Sequence, residues 1–73
     1  MSANLTALTH ALALAQAEVL ALQTRKSNIE NSDLPYAEAL VLQLGEEMTT
    51  LTSEITAKEQ ICQTLTTLKN QYQ

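Results

Sequence analysis

Hydrophobic positions recur along this chain at alternating steps of three and four. In the first half Leu5, Leu8, Leu12, Ala15, Val19, Leu22, Lys26 and Ile29 keep that rhythm without a slip. In the second half Ala37, Val41, Leu44, Met48, Leu51, Ile55, Lys58, Cys62, Leu65, Lys69 and Tyr72 do the same. A seven-residue repeat keeps one stripe of an α-helix facing a neighbour, provided the helices supercoil left-handedly. The three lysines fit such a seam if their methylene stems pack and their ammonium groups reach water. Asn28, Asn31, Ser32, Asp33 and Pro35 cluster between the two runs, and these residues favour turns. The pattern predicts an all-α fold, a coiled-coil-like antiparallel two-helix hairpin forming one domain over residues 1–73. Helix one is expected over about 3–30, the link over about 31–34 and helix two over about 35–72.

Local chemistry refines this picture. Pro35 suits the first turn of the second helix, where its missing N–H is no loss, and Asp33 is placed to cap it. Ser2 or Asn4 is placed to cap the first helix. Seven threonines in the second arm resist helix slightly, but a 28-residue strand from residue 46 onward is not credible. Gly45 costs about 1 kcal/mol inside a helix and marks either a kink or a close approach of backbones. The second arm is the longer by about eight to ten residues, so its C-terminal end is expected to overhang the first by about 12 to 15 Å.

Apolar residues off the seam carry the functional expectation. Between positions 11 and 22 only Gln16 and Glu18 are polar, and a helix apolar on nearly all sides is normally surrounded. One antiparallel partner covers one side. The expected partner interface is therefore Leu14, Ala17, Leu20 and Ala21 on helix one, with Leu42, Ile61 and Leu68 on helix two. The alanines would let a partner approach closely, although alanine is also simply the best helix former.

Composition removes most other classes. One Cys and one His cannot build a zinc site, and a lone Cys cannot form an internal disulfide framework. A single Gly leaves no phosphate-cradling loop. With a net charge of −4, no Trp and no Phe, the chain lacks the basic, stacking surface usual for nucleic-acid binding. The apolar run at 11–22 is shorter than the roughly 20 residues of a spanning helix, so membrane insertion is not expected. The N-terminus has no basic cluster of a secretory signal, which points to the cytoplasm. His10 reads as a helix-surface histidine and Cys62 as a small seam hydrophobe, leaving no catalytic, cofactor or metal residues and no enzyme. Residues 27–57 hold six acids and no Lys or Arg. That turn-end charge either steers a basic partner or keeps an apolar rod soluble.

The stretch Asp33-Leu34-Pro35-Tyr36, leading into the second of two Ala/Leu-rich arms, resembles the small cochaperones of type III secretion needle subunits. The likeness extends in shape over most of the chain, while the longer second arm and the strict heptads depart from that family's pattern. It implies a hairpin that pairs with a larger helical-repeat chaperone and helps hold a needle subunit unpolymerised in the cytoplasm. The residues themselves predict a non-enzymatic interaction module binding a helical protein partner through an apolar helix face, which the resemblance narrows to a small cochaperone or adaptor. The alternative is a self-assembling homo-oligomer of phage or mobile-element origin that could sequester a small ligand between subunits.

Overall fold

The computed structural model describes residues 3–72, and the fold is all-helical. Three helices follow in order: α1 (Ala3–Glu30), α2 (Tyr36–Val41) and α3 (Leu44–Gln71). The long helices α1 and α3 lie against each other, giving a rod whose Cα atoms extend 55 × 14 × 13 Å. They run antiparallel. Glu18 meets Lys58 and Arg25 meets Glu47, so residue numbers rise on one helix as they fall on the other.

The heptad explains the contact between them. On α1, Leu5, Leu8, Leu12, Ala15, Val19, Leu22, Lys26 and Ile29 are all buried or half-buried. On α3 the same holds for Leu44, Met48, Leu51, Ile55, Lys58, Cys62, Leu65 and Lys69. The most enclosed hydrophobics are Leu12, Ala15, Leu51 and Ile55, midway along the rod. Lysines at the seam behave as stem-packing residues: Lys58 Nζ reaches Glu18 Oε2 at 2.6 Å and Lys26 Nζ reaches Glu30 at 3.7 Å.

Threonine-rich α3 is helical throughout, and five of its threonine hydroxyls bond their own backbone, a local contact that does not stabilise the helix. Thr49, Thr52, Thr56, Thr66 and Thr67 each donate to the carbonyl four residues earlier, at 2.8 to 3.2 Å. Glu46 and Glu47 in its first turn and Lys69 in its last turn complement the helix dipole.

The second arm differs from expectation in being two helices. Gln43 takes a left-handed backbone (φ 60°, ψ 25°), and the chain turns there between α2 and α3. The Gln43 N–H donates to the Leu40 carbonyl, and the Glu47 N–H donates to the Gln43 carbonyl. The reason lies across the seam. Ile29 and Glu30 at the end of α1 share a groove with Leu44, Gly45 and Met48, so α1 has run out at the level where α3 begins. A straight continuation would carry Ala37 and Val41 beyond any partner. By turning, the chain instead brings Tyr36, Ala39 and Leu40 to the same groove as Ile29.

Several local expectations change with this. The long helices have 28 residues each, and Asn4 shares a groove with Tyr72, so α3 does not overhang α1. Pro35 occupies the N-cap of α2, where no side chain caps the helix, and Asp33 lies in the link without that role. Asn4 lies inside α1, and Ser2 lies outside the described residues. Gly45 sits in α3 at negative φ with open space around the position of a Cβ, so it marks neither the kink nor a close backbone approach.

Candidate functional site

The surface most able to do something is apolar. Exposed large hydrophobics outnumber enclosed ones: Leu14, Leu20, Leu34, Tyr36, Leu40, Val41, Leu42, Ile61, Leu68 and Tyr72 all face solvent. Among the described residues no side chain is fully buried.

Helical geometry sorts these residues onto different sides of the rod. Position 14 lies near the side of α1 that carries Glu18 and Arg25, and those two residues pair with Lys58 and Glu47 on α3. Seven-residue steps from Glu47 along α3 pass through Glu54 to Ile61 and Leu68, placing both apolar residues on that same flank. Ala7 and Ala11 complete it, and Leu68 shares a groove with Ala7, Leu8 and Tyr72. Leu42 joins it at the turn end, beside Arg25, Glu46 and Glu47. This flank therefore carries Leu42 beside the Arg25–Glu47 pair at the turn end, Leu14 and Ile61 next to the Glu18–Lys58 pair near the middle, and Leu68 at the open end.

The seven residues expected to form one face do not. Leu14, Ile61, Leu68 and Leu42 line one flank, whereas Leu20 stands about 120° around α1 from Leu14 at 100° per residue. Its flank carries Gln16, Gln23, Thr52 and Glu59, all exposed. Ala21, seven residues on from Leu14, lies on the Leu14 flank, and Ala17 occupies the outer surface of α1 between the two shoulders; both are exposed. Sequence reasoning treated everything off the seam as a single surface, although the heptad positions themselves separate the shoulders.

Sequence reasoning also missed the turn end. Val41 was expected on the seam and is 82% exposed, Tyr36 is 81% exposed, and Ala37 with Val41 and Leu42 lines a shallow groove on the outside of α2. The signal was weak: a run of apolar residues at 39–42 leaves no single stripe, so one of them must face water.

Groups with chemical potential are dispersed. His10 is exposed on the outer side of α1. Cys62 is a free, half-buried thiol on the seam, near a shallow groove lined by Gln16, Val19, Glu59 and Gln63. Among the described residues no three His, Cys, Asp or Glu side chains come together as a metal site. Lys58 has a clear electrostatic signature. A hydrogen bond to Glu18, then Coulomb attraction to the same carboxylate, holds its ammonium above the usual 10.5, with partial desolvation opposing.

No protein family, curated protein or solved structure matches this chain. Its own surface is what there is to read.

One property of α1 bears on the expectation about membranes. The run at 11–22 is shorter than a membrane span, but the helix carrying it is 28 residues long and, by length and composition alone, could cross a membrane. An apolar hairpin arm and a leader sequence share that property.

Proposed function

We propose that this chain is a non-enzymatic interaction module whose apolar flank, with Leu14 and Ile61 near its middle and Leu68 at its open end, binds a helical polypeptide. One observation carries the reading: large apolar side chains stand in water on both long helices, while the seam encloses only a thin core. Isolated exposed leucines need no explanation, but a row of them along one side of a rod marks an interaction surface. The geometry suits a helix as occupant, because two antiparallel helices present a long shallow groove that a third helix fills with knobs at helical spacing. The cochaperone resemblance is a narrower version of the same idea, with a helical-repeat chaperone as the occupant. It rests on residues 33–36, which form the link and the first residue of α2.

A photo-crosslinking residue at position 14, in the organism that encodes the protein, tests the reading. Adducts with polypeptide are expected from position 14 and not from position 63, which is exposed on the opposite flank. Absence of any adduct at position 14 would overturn it.

A further inference from the structure

We infer that the turn end of the hairpin is a second docking surface, and that its occupant is a basic amphipathic segment of another polypeptide, with aliphatic anchors flanked by Lys or Arg. This surface is separate from the flank of Leu14, Ile61 and Leu68 and stands or falls independently of it.

Apolar exposure is concentrated at the turn. Among the described residues, Leu34, Tyr36, Leu40, Val41 and Leu42 make up half of the large hydrophobics in solvent. No residue of α2 is buried. The groove on its outer side is lined by Ala37, Val41 and Leu42, with Glu38 beside them. Leu42 continues into the neighbouring groove, which carries Glu46 and Glu47.

Charge selects the occupant. Arg25 and Lys26, the basic residues nearest the turn in sequence, are taken up by Glu47 and Glu30. Among the described residues Asp33, Glu38 and Glu46 are exposed and enter no ion pair. Two of these uncompensated carboxylates, Glu38 and Glu46, line the grooves that hold Val41 and Leu42. Nucleic acid, an anionic lipid surface and the turn end of a second copy would each bring further negative charge to them, which opposes association. Lys or Arg on either side of an apolar anchor matches the surface in both respects.

Size sets the strength. The six residues of α2 span about 9 Å of helix, so the patch accepts only one or two turns of a partner. A contact that small belongs with transient encounters, in which charge governs the rate of association and its response to salt.

The test titrates the intact chain into a fluorescein-labelled peptide of about 14 residues, Leu and Lys only, with leucines at helical spacing, and reads anisotropy. Micromolar binding is expected in about 50 mM salt, weakening roughly tenfold by about 300 mM. Val41→Lys should weaken binding by roughly tenfold or more, and a Ser/Lys peptide of equal charge should bind roughly tenfold less well. Glu38→Gln with Glu46→Gln should cost roughly fivefold and flatten the salt response. Glu54→Gln with Glu59→Gln makes the same change in net charge away from the turn and should alter binding by less than about twofold. Circular dichroism checks that each variant is helical; should Val41→Lys unfold, Val41→Ala takes its place, with an expected loss of about threefold. No anisotropy change up to about 1 mM chain, equal losses from the two glutamine pairs, equal binding of the Ser/Lys peptide, or undiminished binding by the position 41 variant would each overturn the inference. Binding that falls with Ile61→Lys and not with Val41→Lys would put the peptide on the Leu14 flank, which removes the turn-end surface and leaves the interaction-module reading standing.

Discussion

Leu51 and Val41 occupy seam positions in one unbroken 3-4 repeat, yet Leu51 is 3% exposed and Val41 is 82% exposed. Nothing in their side chains accounts for this, since both are aliphatic. The difference is what lies across from them. Leu51 faces the middle of α1, while Val41 stands beyond the level at which α1 ends. A heptad specifies which side of a helix is sticky; it buries that side only where a second helix is long enough to cover it. Past that point the chain gives up the straight helix, with one left-handed residue at Gln43, and folds α2 back toward Ile29 and Met48.

Truncation should break the equivalence most strongly. Leu51→Ala removes a large side chain from the tightest part of the seam, at a cost of about 2–5 kcal/mol. A core of this size rarely supplies more than about 3–5 kcal/mol, so the variant is expected to lose most of its helical circular dichroism at 25 °C. Val41→Ala should shift stability by less than about 0.5 kcal/mol. Similar losses from the two would mean that Val41 is covered after all.

Much of the fold was legible because heptads report on burial directly. The seam residues of α1, and those of α3 from Leu44 to Lys69, are the ones the spacing singles out. The break was not legible, because its chemistry is absent from the sequence. A left-handed residue ending a helix is usually Gly or Asn, and here it is Gln43, flanked by leucines. Gly45, two positions on, drew attention that belonged to its neighbour. Of the interface residues, Leu14, Ile61 and Leu68 fall together because seven-residue steps along α3 share the flank of the Arg25–Glu47 pair. Leu20 falls away because a step of six residues from Leu14 carries it about 120° around the helix, a third of a turn out of phase. Burial against one helix was readable; sidedness around the hairpin needed the register to be followed letter by letter.

The break offers a finer comparison at its own two residues. Gln43→Gly removes a Cβ from a left-handed backbone, a conformation that costs an L-residue about 1–2 kcal/mol. Part of that gain is offset by the greater freedom of unfolded glycine. The Gln43 side chain caps nothing, so nothing else is lost. A net rise of about 0.5–1 kcal/mol, or roughly 5 °C in melting temperature, is expected. Gly45→Ala should raise stability by a similar or smaller amount, since alanine is the better helix former and its Cβ meets open space. If instead Gly45 were the strained hinge, Gly45→Ala would lower the melting temperature and Gln43→Gly would leave it unchanged. Both variants are best compared at one fixed, low concentration, so that association does not enter.

Smallest of all should be the effect of the ion pair that bridges the middle of the rod. Lys58 holds its proton more tightly in the folded chain than its usual 10.5, chiefly through the hydrogen bond to Glu18. Folding therefore favours the protonated amine. By linkage, that contribution is fully present below the unfolded value and is lost as pH rises through the higher folded value. Both side chains stand partly in solvent, so the loss should be shallow. Melting temperatures recorded from pH 9 to 12 should fall toward the alkaline end, by less in Lys58→Met than in the native chain. Lys58→Met leaves every other side chain in place, so the difference between the two profiles isolates the amine. Parallel profiles would mean that the packed methylene stem, and not the charge, is what Lys58 brings to the seam. That outcome would make it equivalent to Leu51 and Ile55, its neighbours on the same stripe, in kind if not in degree.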